Sequence, residues 1–331
     1  MTSRMIRLMH GRRIASRGKR IRALAVAAAT TLVLGGCDGG DTAGGERDDT
    51  SAVQESSRSD TSTNLGAYIV DLNTGEKSSL PEPLQGGDSY QVSPDGTMLA
   101  YTLRTSPYDG FVADVDGTGM RVIHTPHNLE ALAPSWSPDG SLLVYQGRRE
   151  QFEGQVAPGY DLYVVDVTTG QITQRLIREA SLSSWDYMNP SFTPDGGSIL
   201  FQKLDGSHSH PYWDLWSIPI TGGDPTMVRR DAAFGAYSPD GETLAYLDAP
   251  DCCSEGWTSG LWLVGADGSD PRPLVDALVS WLRWSPDGTR IAYVTDSEVG
   301  VVDVATGMTS RVAEGGTVEW LDEHSLVVGP G

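Results

Sequence analysis

A ten-residue pattern recurs along the chain and limits what the rest can fold into. Its copies are VSPDGTMLAY (92–101), WSPDGSLLVY (136–145), FTPDGGSILF (192–201), YSPDGETLAY (237–246) and WSPDGTRIAY (284–293). The Ser or Thr falls at positions 93, 137, 193, 238 and 285, in steps of 44, 56, 45 and 47. A sixth, degenerate copy, WLDEHSLVVG (320–329), aligns without a gap. Self-similarity at this spacing belongs to arrays built from one repeated supersecondary unit.

The pattern carries its own turn chemistry. Proline presets φ for the second position of a type I turn, Ser and Asp bond to nearby amides, and Gly takes the left-handed conformation that lets a hairpin rejoin register. Each copy therefore reads strand, tight turn, strand. Behind the turn, Leu99, Leu143, Ile199, Leu244, Ile291 and Val327 form one apolar column. Tyr101, Tyr145, Phe201, Tyr246 and Tyr293 form another on the same face, two residues on. The residue between them is also apolar, so both faces of the strand are expected to be buried.

A second hairpin alternates with the first: AYIVDLNTGE (67–76), FVADVDGTGM (111–120), LYVVDVTTGQ (162–171), LWSIPITGGD (215–224), LWLVGADGSD (261–270) and VGVVDVATGM (299–308). Alternating apolar residues run into a Gly-containing turn. Six inner and six outer hairpins make six four-stranded sheets, the signature of a six-bladed β-propeller of antiparallel blades. The chain begins with an outer hairpin (67–83) and ends with an inner one (315–328). The closing blade should therefore be shared, two strands from each end.

These motifs, above all WSPDG followed by an [LI]-A-Y strand and LYVVDVTTG, resemble the WD40-like PD40 repeat of TolB-like propellers, over residues 66–329. The resemblance implies an all-β propeller domain of the cell envelope. TolB itself carries a separate α/β domain ahead of its propeller and is not lipidated. A Tol–Pal role therefore does not follow from the repeat alone.

Upstream of the repeats, residues 1–22 hold eight basic residues and no acid, and ALAVAAATTLVLGG follows. That is the charged and then apolar order of a secretory signal, too short for a comfortable membrane span. It ends Leu34-Gly35-Gly36-Cys37, which resembles a bacterial lipobox with Cys37 as the lipidated residue. The expected organisation is a lipoprotein signal peptide over 1–36, then the lipidated Cys with an acidic, Ser- and Gly-rich tether over 37–64. The propeller then occupies 65–331. The tether has too few apolar residues to fold, and about 26 flexible residues reach roughly 25–30 Å. Cys252 and Cys253 are adjacent and give no disulfide framework.

The whole chain has a net charge of −20. Removing the eight basic residues of the signal leaves 16 cations against 44 acids, or −28. Such a surface repels nucleic acid and anionic lipid, so membrane association is expected through the lipid alone.

In a propeller the two hairpin turns of each blade share one face, and the longer connections share the other. Connecting loops on a rigid scaffold tend to carry function. The segments 124–135, 147–161, 177–189, 204–214 and 248–260 fall on that second face and hold Arg148, Arg149, Trp185, Asp186, Tyr187, Tyr212, Trp213 and Trp257. Aromatic and Arg side chains are what binding surfaces favour. His124, His127, His208 and His210 lie in the same loops. No complete ligand set of fixed spacing accompanies them, so no metal or cofactor is expected. The five motif aspartates, 95, 139, 195, 240 and 287, are explained by the turn. Gly256-Trp-Thr-Ser-Gly260 has Thr258 where a nucleophile elbow needs its Ser. Asp114-Val-Asp116-Gly117 lacks the other ligands of a calcium loop.

The expected protein is an exported, membrane-anchored lipoprotein and not an enzyme. Its monomeric propeller would bind an unidentified envelope protein through the loop-rich face. The alternatives are a metal-dependent glycan lyase or hydrolase, and a propeller that senses glycans or peptides.

Overall fold

The structure is a computed structural model that describes residues 66–103, 109–123, 131–148, 160–176, 188–205, 212–248 and 260–330. Within them the chain forms six four-stranded antiparallel sheets and one short 3-10 turn, Glu82–Leu84. Blade 1 runs outward through Gly87–Val92, Met98–Leu103, Asp109–Asp114 and Arg121–Ile123. Blades 2 to 5 repeat the order, with innermost strands Ala131–Trp136, Met188–Phe192, Ala232–Tyr237 and Trp281–Trp284. The closing blade takes its two inner strands, Thr317–Trp320 and Ser325–Gly329, from the C-terminal end. Its outer strands, Tyr68–Asp71 and Lys77–Ser79, come from the other end. Residues Tyr68 to Asp71 pair antiparallel with Val328 to Ser325. The six innermost strands contact one another in sequence around the axis.

There is no central core. Apolar side chains gather instead in six clusters, one in each seam between neighbouring blades. The two-sided strand of the repeat explains this. Leu143 and Tyr145 face blade 1, whereas Val144 faces blade 3 with Leu162 and Val164. Tyr101, Tyr145, Phe201 and Tyr246 are each at most 1% exposed. Burying one such ring contributes roughly 1.5–3 kcal/mol.

Tryptophan at the head of the motif has a second task. The Trp136 indole N–H donates to the Gln91 carbonyl of the preceding blade at 3.0 Å. Trp284 does the same to Ala236, and Trp320 to Arg283, each at 3.0 Å. A buried indole needs such an acceptor, and here it fastens each blade to the one before.

The sixth copy corrects the ungapped alignment. In the five clear repeats the paired residues across the turn are seven apart, as in Trp136 with Leu143. In the closing blade Trp320 pairs with Leu326, six apart. The turn is one residue shorter, so Leu326, not Val327, occupies the first apolar column. Leu326 and Val328 pack toward blade 5 while Val327 packs toward blade 1. A one-residue slip exchanges the faces of a strand, and the shorter turn absorbs it.

The innermost strands are not equivalent. Those of blades 1 to 4 carry a register irregularity and those of blade 5 and the closing blade do not. Ala133, Asn189 and Phe234 have positive φ within these irregularities. Neighbouring glutamines hold two of them in place. Gln146 accepts from the Asn189 N–H at 3.0 Å, and Gln202 from the Phe234 N–H at 3.1 Å.

Strand direction fixes the faces. The SPDG turns and the outer Gly-containing turns share one face. Tyr68–Asp71 runs into the outer turn of the closing blade, so Tyr68 lies at the opposite, loop-rich face.

Candidate functional site

On the loop-rich face, three of the candidate residues sit in strands where loop was expected. The second strand of blade 2, Leu142–Arg148, extends through Arg148, which pairs with Tyr160. In blade 3, Tyr212 pairs with Asp205 and half-buried Trp213 with Leu204. Tyr212 and Trp213 thus share one strand end, one blade along from Arg148. Arg149, Trp185, Asp186, Tyr187 and Trp257 lie outside the described residues. So do His124, His127, His208, His210, Cys37, Cys252 and Cys253. Among the described residues no three metal-type side chains come together.

Next to Trp213 the rim carries charge. Buried Asp214 accepts from the Asp231 N–H at 3.0 Å. The Arg229 guanidinium lies 4.2 Å from the centre of the Tyr246 ring. Burial pushes the Asp248 carboxyl above its ordinary range, while Arg229 pulls it back. These groups fasten blade 3 to blade 4 where the 249–259 connection leaves.

The turn face is chemically quiet. In blade 2, Ser137 Oγ donates to Asp139 at 2.6 Å, and the Ser141 N–H donates to the same oxygen at 3.0 Å. Gly140, at φ 71°, closes the turn. The Ser137 hydroxyl, followed by the Ser141 donors, draws the Asp139 carboxyl down to about 2. The same bonds recur at Asp95, Asp195, Asp240 and Asp287. A carboxylate so occupied and so acidic is a poor proton carrier at neutral pH.

The axis holds a cluster that the motif-by-motif reading missed. The residue two before the turn Ser is Gln91, Ser135, Ser191, Ala236 and Arg283 in the five clear copies, and Glu319 in the closing blade. Glu319, 9% exposed, joins three consecutive innermost strands. Arg283 Nε donates to it at 2.8 Å from blade 5, and the Gln91 amide donates from blade 1. Its own neighbour, the Trp320 N–H, donates at 3.1 Å. Burial raises the Glu319 carboxyl above the ordinary range, and Arg283 counters it. With three donors on it, Glu319 has a binding and positioning geometry, not that of a free base. The signal in the sequence was this column itself, the one place in the repeat where amide, hydroxyl, cation and anion alternate.

No family model matches the chain. A stretch of 129 residues is 34% identical to the Tol-Pal system protein TolB of Anaeromyxobacter dehalogenans, covering 37% of this chain and 26% of that protein. The counterpart from Anaeromyxobacter sp. strain K matches at 33% with the same coverage. The match thus spans about a quarter of the length of these relatives. Among solved structures, a putative TolB from Agrobacterium tumefaciens superposes with a TM-score of 0.61 at 18% identity. It covers 80% of this chain and 96% of that one. TolB from Acinetobacter baumannii gives 0.55 at 17%, over 80% and 64%. Identities this low speak for the fold alone.

Proposed function

Because the chain carries a TolB-like six-bladed propeller, we propose that it is a membrane-anchored extracytoplasmic lipoprotein. Its propeller is a non-catalytic protein-binding module of the cell envelope. The observation that carries this reading is the local sequence likeness to Tol-Pal system proteins, in a chain that opens with a basic, then apolar, segment ending at Cys37. Residues 1–36 are the signal peptide, Cys37 carries the lipid, 38–64 form the tether, and the propeller follows. Partner contact falls on the loop-rich face, through Arg148, Arg149, Trp185, Asp186, Tyr187, Tyr212, Trp213 and Trp257. The acid excess disfavours nucleic acid and anionic lipid as partners.

Crosslinking in intact cells, followed by purification of the full chain, tests the reading. A specific envelope protein should be recovered with the wild type and lost when Trp185, Tyr187 and Trp213 are replaced together by Ala. Equal recovery from that variant removes the loop face as the contact surface. Failure to recover any envelope protein removes the binding role.

A further inference from the structure

A line of contacts through five consecutive blades ends on one guanidinium. In blade 3, Gln202 accepts the Phe234 N–H and holds that residue at φ 50°. A bulky side chain rarely adopts this conformation, and it persists only where the surroundings enforce it. The Phe234 ring then lies 5.8 Å from the Trp281 indole of blade 5. Trp281 carries the Arg283 guanidinium 4.5 Å from its ring centre. Arg283 Nε is held by Glu319 of the closing blade, and Nη1 donates to the Leu282 carbonyl at 2.8 Å. Glu319 is in turn held by Gln91 of blade 1.

The guanidinium is thus fixed by its stacked face, by Nε and by Nη1, while Nη2 has no partner among the described residues. The Arg283 side chain is still 25% exposed. Its strand is flanked by the innermost strands of blade 4 and the closing blade and backed by Arg290–Thr295. The exposure therefore opens toward the axis, where the facing positions are the partly exposed Ser135, Ser191 and Ala236.

We propose that Arg283 heads a carboxylate-binding site in the axial channel. A fixed guanidinium with a free Nη2 donor offers a charge-assisted hydrogen bond to a carboxylate oxygen, and fixing it beforehand lowers the entropy cost of binding. Glu319 leaves the site close to neutral overall, which suits a singly charged ligand over phosphate. Ser135 supplies a hydroxyl donor and space on the far wall, while the Ser191 hydroxyl already donates to the Gly235 carbonyl at 3.4 Å. The left-handed conformation of Phe234 then has a use, since it seats the ring that supports Trp281. The site stands apart from the loop face and does not rest on the envelope-partner reading.

The test uses the full chain in detergent. Isotopically labelled acetate is titrated at ionic strength held constant with chloride, and line broadening of its carboxylate resonance is followed. Acetate should bind saturably and acetamide, its neutral counterpart, should not. Arg283→Gln should weaken binding roughly tenfold or more, the scale of a hydrogen bond to a charged group. Glu319→Gln, which keeps an acceptor for Arg283 but removes the competing charge, should tighten it several-fold. Phe234→Ala should weaken it with every charge in place. A purely ring-closing role for the Arg283–Glu319 pair lowers stability in these variants and leaves acetate unbound in the wild type. No saturable acetate binding, equal binding of acetamide, or weaker binding in folded Glu319→Gln overturns the proposal. Competition by a capped glutamate peptide at concentrations below acetate assigns the site to a carboxylate on a protein. Acetate binding without such competition assigns it to a free acid.

Discussion

The indole N–H of Trp136 and the carbonyl of Gln91 meet at 3.0 Å across the seam between blades 1 and 2. The two residues are 45 apart in sequence, one repeat. Replacing Trp136 by Phe keeps most of the packing and strands the Gln91 carbonyl. The expected loss is about 0.5–1.5 kcal/mol. Replacing it by Ala also opens a cavity beside Leu143 and Tyr145, and the loss rises to about 3–5 kcal/mol. Urea titrations with unchanged slope would resolve the two values.

Ring closure depends on a contact between residues 246 apart. The Tyr68 hydroxyl donates to the Glu314 carbonyl at 2.5 Å and accepts from the Glu314 N–H at 3.3 Å. Tyr68→Phe should lower stability by about 1 kcal/mol. Amide exchange should rise chiefly in 68–71 and 309–314. Exchange spread evenly over all six blades would contradict a local closing role.

Acid stability follows from the turn aspartates. Their folded pKa values lie below the ordinary 3.8, with Asp139 at about 2. A depressed carboxyl contributes stability that is present above its unfolded value and lost as pH falls through its folded one. Melting temperature should therefore drop between about pH 4 and pH 2, the window these shifts define. Asp139→Asn should make the drop shallower. Glu319 has the opposite sign, since its raised value means that acidification relieves a cost. Asp248, also raised by burial, shares that sign, so two carboxyls are set against the larger group of depressed turn aspartates.

Cys37→Ala tests the anchor without touching the propeller. The expected outcome is transfer of the protein from the membrane fraction to the soluble fraction. Persistent membrane association would assign anchoring to the apolar run 23–36 instead.

Blade count, strand order and the shared closing blade were legible because their causes are local. Pro, Asp and Gly make the turn, and alternation of apolar residues makes the strand, wherever they occur. The shortened turn at 321–324 was not legible. WLDEHSLVVG contains two overlapping apolar pairs, Leu326 with Val328 and Val327 with Gly329, and only the neighbouring blades decide which faces where. The irregular innermost strands were hidden for the same kind of reason. Phe234 takes a left-handed conformation because Gln202, 32 residues away, supplies an acceptor. The axial cluster needed the ring before Gln91, Arg283 and Glu319 could meet. The loop face was found only as segments where the repeat stops, and Tyr212 and Trp213 proved to be strand residues there.

The placement of Tyr68 has a mechanical consequence. Its strand starts at the loop-rich face, so a force applied at Tyr68 enters at the rim of that face, beside the closing seam. Such a force acts on the outer half of one blade. The hydrogen bonds between Tyr68–Asp71 and Ser325–Gly329 oppose it in shear along their length.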